Sequence, residues 1–187
     1  TAYEKNPIVI KALKKKYPGV TIHEKFIPPL EGAADNSYDT VCTFQVIEHI
    51  EPDEEFVKEI HRVLKPGGKV IMTTPNILMT LTRNPWHARE YTHQELTALL
   101  GKYFSKVESN GVYGSDKVNT YYERNKASVA KYKKLDIFNL EQRLPRKIFE
   151  IPYNILNRIN RNSLQRGADE LVTSINTDDF IIKPASD

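Results

Sequence analysis

One βαβ pattern constrains the fold of this 187-residue chain most strongly. An apolar run from Tyr38 to Phe44 is followed by an amphipathic stretch from Pro52 to Leu64 and by a second apolar run from Lys69 to Thr74, which Gly67-Gly68 precedes. Strand, helix and strand in this order predict two parallel neighbours joined by a crossover helix. Ligands bind at the carboxyl ends of such strands. We therefore expect a ligand near Phe44 to His49.

The crossover stretch has the pattern of a surface helix. Its apolar residues recur with the 3.6-residue period, acidic residues crowd its first turn, and Arg62 and Lys65 close its last turn, as the helix dipole favours. The predicted buried face consists of Phe56, Val57, Ile60, Val63 and Leu64.

Other elements alternate in the same way along the chain. We expect helices from the N-cap Asn6, with Pro7 at its first position, toward Pro18-Gly19, and from the capping-box residue Thr92 to about Leu100. Further strands are predicted just before Glu4, at Val20 to Ile27, at Phe104 to Tyr113 and at Asp179 to Lys183. This alternation predicts an α/β fold with a mostly parallel sheet covered by helices on both faces.

Composition narrows the class of protein. Hydrophobic residues make up 40% and charged residues 27% of the chain, which fits one soluble globular domain and excludes a fibrous or disordered class. No run approaches the roughly 18 apolar residues of a membrane span, and the given N-terminus lacks the basic-then-apolar layout of a secretory signal, so we expect a cytoplasmic protein. The single cysteine, Cys42, excludes an internal disulfide, and its apolar strand predicts a small core residue.

Five motifs stand in a fixed order along the chain. They are Tyr38-Asp39-x-Val41, Val46–Ile50, Arg62–Gly68, Thr73–Asn76 and His87–Leu96. Together they resemble the class I S-adenosylmethionine-dependent methyltransferases (methyltransferase type 11 group), and especially bacterial enzymes of the ubiquinone-biosynthesis O-methyltransferase type. The resemblance covers about residues 1–115 and the last strand. It implies a Rossmann-like sheet with an antiparallel last strand, S-adenosyl-L-methionine as cofactor, and methyl transfer to a small-molecule acceptor.

The resemblance also implies a cofactor site at the strand ends. Glu4 matches the acidic residue that holds the ribose hydroxyls, and a carboxylate suits a cis-diol because it accepts two hydrogen bonds. Phe26 lies where the family lines the adenine, although the usual Asp is missing there. The expected cofactor-binding residues are Glu4, Lys5, Phe26, Ile27, Phe44 and Gln45.

On the acceptor side, His49 and His87 are the candidate catalytic bases, because a neutral imidazole accepts a proton near pH 7. Glu48, Arg89 and Tyr91 are the candidate acceptor-binding residues. Structural roles stay open for them: either histidine can be a loop or core hydrogen-bonder, and Arg89 and Tyr91 can anchor their own loop.

The sequence departs from the family in two places. Gln45 replaces the first acid of the Glu-x-x-Glu-His pattern that has been interpreted as a metal site, so we expect no metal. The glycine-rich loop after the first strand of the family is absent, and Gly67-Gly68 cannot replace it, because it serves a turn between helix and strand. We expect that the chain is a fragment that lacks an N-terminal strand and helix; the alternative is a remnant that has lost the site.

The net positive charge of the chain is concentrated in residues 117–166. They hold twelve Lys or Arg against four Asp or Glu, a net charge of +8, and Pro152 interrupts their apolar face, which predicts a kinked or broken helix pair. We expect a helical basic insertion at 117–175 within a single domain that spans 1–187. It can form a lid over an acidic, sugar or lipid-linked acceptor, contact a membrane surface through 143–166, or form a protein interface.

Other interpretations remain open on the sequence alone. A noncatalytic methyltransferase-like binding module is the main alternative to an enzyme. A nucleotide-binding oxidoreductase fits the Glu48-His49-Ile50 loop less well. Nucleic acid is not an expected partner, because the basic residues are not interleaved with a recognisable nucleic-acid-binding motif. The sequence leaves the oligomeric state undetermined.

Overall fold

A computed structural model describes residues 1–134, 143–167 and 169–185. The chain forms two compact units. The first consists of Thr1–Pro75 and Ala88–Val107, and the second of Asn76–His87 and Glu108–Asp187.

The first unit contains four strands and three helices. In chain order these are β1 (Ala2–Tyr3), α1 (Pro7–Lys16), β2 (Ile22–His23), β3 (Tyr38–Phe44), a 3-10 turn (Ile47–His49), α2 (Asp53–Val63), β4 (Leu64–Thr73) and α3 (His93–Gly101). The second unit contains a 3-10 turn (Ile77–Met79), β5 (Asn110–Gly114), α4 (Asp116–Lys133), α5 (Arg146–Gly167), α6 (Asp169–Ser174), a 3-10 turn (Thr177–Asp179) and β6 (Phe180–Pro184).

The strands pair two by two. β1 and β2 are parallel, β3 and β4 are parallel with Phe44 opposite Thr73, and β5 and β6 are antiparallel with Val112 opposite Ile182. The α/β class, the parallel pairing and the antiparallel last strand are therefore confirmed. Within the described residues, however, the strands form three two-stranded sheets and not the one continuous sheet that we expected.

The helix starts follow the predicted capping. Oδ1 of Asn6 accepts the backbone N–H of Ile8 at 2.9 Å, with Pro7 at the first position of α1. At α3 the Thr92 hydroxyl accepts the N–H of Glu95, and the Glu95 carboxylate accepts the N–H of Thr92, so the capping box is complete. Because a good N-cap is worth about 1 kcal/mol, these residues fix where the helices begin.

The core of the first unit lies against α2. Its predicted apolar face is buried, with each large aliphatic side chain contributing roughly 1.5–3 kcal/mol by burial. The face consists of Phe56, Val57, Ile60, Val63 and the following Leu64, and it packs with Leu30, Ile47, Tyr91, Leu99 and Leu100.

Arg62, on α2, fastens the loop that precedes β3. Its Nη1 donates to the carbonyl of Ala33 at 3.0 Å and to Oδ1 of Asp35 at 2.6 Å, and its Nε donates to Oε1 of Glu59 at 2.8 Å. Glu59 in turn accepts the N–H of Leu30 at 2.9 Å. The loop between β2 and β3 is thus tied to the helix by charged hydrogen bonds, which are stronger than neutral ones.

The prediction that Cys42 is a core residue was wrong, because Cys42 is exposed. Side chains alternate along β3, so Val41 and Thr43 point toward the core and Cys42 and Phe44 point away from it. Ile71, which pairs with Cys42, is exposed on the same face. Within the described residues the β3–β4 pair is therefore covered on one face, whereas we expected helices on both.

Three predicted strands differ in extent. β4 begins at Leu64 and not at Lys69, because Leu64 already pairs with Tyr38, so Gly67-Gly68 lies within the strand and not in a turn before it. β2 is limited to Ile22–His23 within the predicted 20–27, because its partner β1 supplies only two paired residues. β5 begins at Asn110 and not at Phe104, because the N–H of Phe104 still bonds the carbonyl of Leu100 at the end of α3.

In the second unit the predicted basic segment is helical. It forms α4 and α5, which contact each other, and α5 continues through Pro152 as one helix. Residues 135–142 of the predicted insertion lie outside the described part. The boundaries of the insertion and of the single domain stay predictions. Among the described residues, no helix has the length and apolarity that crossing a membrane requires.

Candidate functional site at the strand ends

Gln45 marks the carboxyl end of β3. Its backbone φ is +56°, in the left-handed region that costs a residue other than glycine about 1–2 kcal/mol. The Gln45 N–H donates to the carbonyl of Thr73 at 2.9 Å, and its side-chain Nε2 donates to the Thr73 hydroxyl at 3.2 Å. Strained backbone of this kind is concentrated at functional sites, so the end of β3 is a site candidate on geometry as well as on topology.

Glu48 is a buried carboxylate three residues further on. Its side chain is 1% exposed, its Oε2 accepts the Thr74 hydroxyl at 3.0 Å, and its Oε1 lies 3.9 Å from Nε2 of His49. The Glu48 carbonyl accepts the N–H groups of Ala88 and Arg89. Because a buried polar group is costly unless it is hydrogen-bonded, these contacts fix the turn that follows β3.

Arg89 and Tyr91 converge on Asp53, the first residue of α2. The Tyr91 hydroxyl donates to Oδ2 of Asp53 at 2.7 Å, and Nη1 of Arg89 donates to the same oxygen at 3.3 Å. Burial, and then the hydrogen bond to Asp53, raise the pKa of Tyr91 well above its usual range. Arg89 also lies over the Tyr91 ring and reaches Oε1 of Glu95 at 3.5 Å. Of the two roles considered for this pair, the contacts favour an anchor for the loop.

A second group lies at the carboxyl ends of β1 and β2. Oε1 of Glu4 accepts the backbone N–H groups of Lys5 and Asn6, each at 2.7 Å, and within the described residues Oε2 has no hydrogen-bond partner. Nζ of Lys5 lies 3.4 Å from the centroid of the Phe26 ring. Phe26 is 71% exposed, whereas Ile27 packs against the core. The structure thus brings Glu4, Lys5 and Phe26 together.

The two histidines have different surroundings. His49 lies in the first unit beside Glu48, at the end of the 3-10 turn. His87 lies in the second unit, where its Nε2 is 2.8 Å from Nδ2 of Asn84. The catalytic role of each histidine stays a prediction.

Sequence reasoning missed three residues that shape the site. Thr73 and Thr74 hold Gln45 and Glu48, and Asp53 holds Tyr91 and Arg89. The two threonines had a usable signal, because polar residues at a strand end in a βαβ unit face the ligand edge. Asp53 had none, since an acid in the first turn of a helix is already explained by the dipole.

Comparison with known proteins supports the methyltransferase family that the sequence motifs resemble. Residues 1–72 match the family described as "Methyltransferase domain". A probable S-adenosylmethionine-dependent methyltransferase of Mycolicibacterium smegmatis is 32% identical over 181 residues, which cover 94% of this chain and 62% of that protein. The mitochondrial ubiquinone biosynthesis O-methyltransferase of Dictyostelium discoideum is 36% identical over 42 residues, covering 22% of this chain and 13% of that protein.

Among solved structures, the cyclase SpnF is similar with a TM-score of 0.47 at 14% identity, over 98% of this chain and 66% of that protein. This chain spans 62% of the length of its Mycolicibacterium relative.

Fold and site thus define a Rossmann-like α/β domain with its polar groups at the carboxyl ends of parallel strands. The family match and the relatives support its assignment to the class I S-adenosylmethionine-dependent methyltransferases, as the motifs predicted. They imply S-adenosyl-L-methionine as the cofactor.

The residues present fit the adenosine part of this cofactor. A vicinal diol needs a carboxylate acceptor, and Oε2 of Glu4 is a carboxylate oxygen without a partner among the described residues. An adenine ring needs a flat apolar surface, and the exposed Phe26 ring beside β2 supplies one. No carboxylate follows Phe26 directly, so recognition of the adenine amine falls to other groups.

Proposed function

We propose that this protein transfers a methyl group from S-adenosyl-L-methionine to a small-molecule acceptor. The observation that carries the proposal is the strained Gln45 at the end of β3, held by Thr73 and followed by the buried Glu48. A glutamine with left-handed backbone and a buried carboxylate both lower the stability of the protein. A ligand site explains why the chain has both at one strand end.

The cofactor residues have separable roles in this proposal. Glu4 accepts hydrogen bonds from the ribose hydroxyls. One face of the Phe26 ring stacks on the adenine, and Lys5 covers the other face of the Phe26 ring. Phe44 and Gln45 lie beside the methionine part, and Ile27 supports Phe26 from the core. Such alignment of the two reacting groups is a large contribution that a protein can make to a displacement at carbon.

The bound cofactor supplies an electrophilic methyl group on a sulfonium, which an acceptor attacks from the side opposite sulfur. The chain then needs a group that takes the proton of a hydroxyl or phenol acceptor as the new bond forms. His49 is our candidate, because it lies at the end of the turn that follows β3, with its Nε2 3.9 Å from Oε1 of the buried Glu48. His87 is a second candidate for this role.

The acceptor class is a small molecule, for which an acidic, sugar or quinone-type compound is our expectation. The name of the Dictyostelium relative concerns ubiquinone biosynthesis, which supports the quinone option. In this proposal Glu48, Arg89 and Tyr91 shape the acceptor side, with Arg89 and Tyr91 acting as positioning residues through Asp53.

Calorimetric titration with S-adenosylhomocysteine tests the proposal. We expect binding to the wild-type protein, and affinity about tenfold lower for Glu4→Gln, because an amide is a weaker acceptor for two hydroxyls. Glu24→Gln is the matched control, since Glu24 also follows a strand but pairs with Lys14. Absence of binding to the wild-type protein would contradict the enzyme and favour a noncatalytic methyltransferase-like module.

A further inference from the structure

Helix α5 carries an exposed stripe of isoleucines that neither the site nor the proposed function uses. The stripe consists of Ile148, Ile151, Ile155 and Ile159, which are 55%, 68%, 55% and 46% exposed. At about 100° per residue, these positions fall within an arc of roughly 80° on one side of the helix. Four large apolar side chains in one line on a helix surface form a contact surface and are not scattered exposed residues.

The opposite side of α5 is anchored in the second unit. Phe149 is buried, and the Tyr153 ring lies against Phe149 and against Trp86, with ring centroids 6.0 and 5.5 Å apart. The isoleucine stripe is therefore not the packing face of α5. Within the described part of the second unit, both α4 and α6 contact the helix, and the stripe residues are exposed.

Two cations lie along one edge of the stripe. Lys147 and Arg158 are exposed and lie beside the stripe at helical spacing, whereas Glu150 lies away from it on the helical wheel. An apolar stripe edged by cations matches an anionic lipid surface, where acyl chains take the apolar groups and headgroups pair with the cations.

We propose that α5 docks on the surface of an anionic lipid bilayer through the isoleucine stripe, without crossing it. Charge complementarity selects lipid over a protein partner, because the cations edge the stripe and the acid does not. This inference is independent of the methyl-transfer proposal, since no stripe residue belongs to the strand-end site.

Vesicle co-sedimentation of the 187-residue chain tests the docking. We expect binding to vesicles of phosphatidylcholine with phosphatidylglycerol, and little binding to phosphatidylcholine alone. The double variant Ile151→Gln with Ile155→Gln should bind about a hundredfold more weakly, because both side chains lose their apolar burial. Glutamine keeps the helix propensity of the site, and circular dichroism checks that the fold is unchanged.

Two further variants make the test specific. Ile8→Gln, at a position 78% exposed on α1, is the matched control and should bind like wild type. Lys147→Glu with Arg158→Glu should weaken binding to the anionic vesicles at least about thirtyfold, since each of the two cations contributes on the order of 1 kcal/mol and the new carboxylates are repelled.

The decisive comparison is between wild type and the Ile151→Gln, Ile155→Gln variant. Equal sedimentation of that variant and wild type overturns the proposal. A wild-type dimer that the same variant dissociates, with no vesicle binding, also overturns it and assigns the stripe to a second copy of the chain.

Discussion

The hydroxyl of Tyr91 donates a 2.7 Å hydrogen bond to Oδ2 of Asp53, which lies 38 residues earlier in the chain. This bond joins the loop before α3 to the first turn of α2, beside the turn that holds Glu48. A buried tyrosine hydroxyl bonded to a charged acceptor stabilises a protein more than a neutral hydrogen bond does.

Tyr91→Phe should therefore lower the free energy of unfolding by about 2 kcal/mol, because a hydrogen bond to a charged group is lost inside the protein. Urea denaturation measures the change. Tyr103→Phe is the matched control: its hydroxyl bonds Glu54 at 3.3 Å at an exposed site, so its loss should cost much less. Equal losses of unfolding free energy in the two variants would show that burial of the Tyr91–Asp53 hydrogen bond adds nothing to stability.

The same tyrosine predicts a pH dependence. Its pKa is raised in the folded protein, so its contribution to stability is complete below the usual tyrosine pKa of 10.0. Above pH 10 the unfolded chain releases this proton and the folded chain retains it, so stability falls as the pH rises. We expect wild type to lose more stability than Tyr91→Phe between pH 9 and about 11. Parallel curves for the two proteins would contradict the raised pKa.

Arg62→Ala should destabilise the first unit by about 2 kcal/mol, because its guanidinium bonds the Ala33 carbonyl, Asp35 and Glu59 together. Lys65→Ala, which removes an exposed ion pair with Asp39, should cost about 0–1 kcal/mol. Chemical denaturation gives both values.

Acid titration sharpens this comparison. The hydrogen bond from Arg62 lowers the pKa of Glu59, so the stability that it provides is present above the usual value of 4.5 and is lost as the pH falls below it. The wild-type protein should therefore lose more stability than Arg62→Ala between pH 5 and about 3.

Gln45→Gly should separate stability from binding. Glycine adopts a φ of +56° without strain, so the variant should gain about 1 kcal/mol of stability despite losing the exposed bond to Thr73. Its affinity for S-adenosylhomocysteine should fall. Asn36→Gly, at a φ of +52°, is the control, since asparagine tolerates this conformation and little change is expected. A loss of stability in Gln45→Gly would remove the argument from strain.

Cys42 should react with a thiol reagent such as Ellman's reagent in the native chain, because it is exposed on the face of β3 that points away from the core. The reaction should be close in rate to that of the unfolded chain, and it should not require urea. Protection of Cys42 in the native protein would show that this face is covered in solution.

Local patterns predicted the helices well and the sheet less well. The buried face of α2 follows from the 3.6-residue period alone, and the capping box of α3 follows from Thr92 and Glu95. The exposure of Cys42 could not be predicted, because both faces of β3 carry apolar residues and coverage depends on distant elements. β2 is short for a related reason, since a strand extends only as far as its partner.

The site shows the same division between local and distant information. Its position at the ends of β3 and β4 follows from βαβ topology, which placed Phe44, Gln45 and Glu48 correctly at the strand end. The convergence of Tyr91 and Arg89 on Asp53 is a long-range contact that no spacing encodes.

The pairing of strands two by two has a consequence for amide hydrogen exchange. In β3 and β4, successive backbone N–H groups point alternately toward the partner strand and toward the free edge of the described pair. Deuterium uptake along these strands should therefore alternate from one residue to the next, with slow amides facing the partner and fast amides facing outward. The isotope pattern would record, residue by residue, which edges of the sheet are open to water.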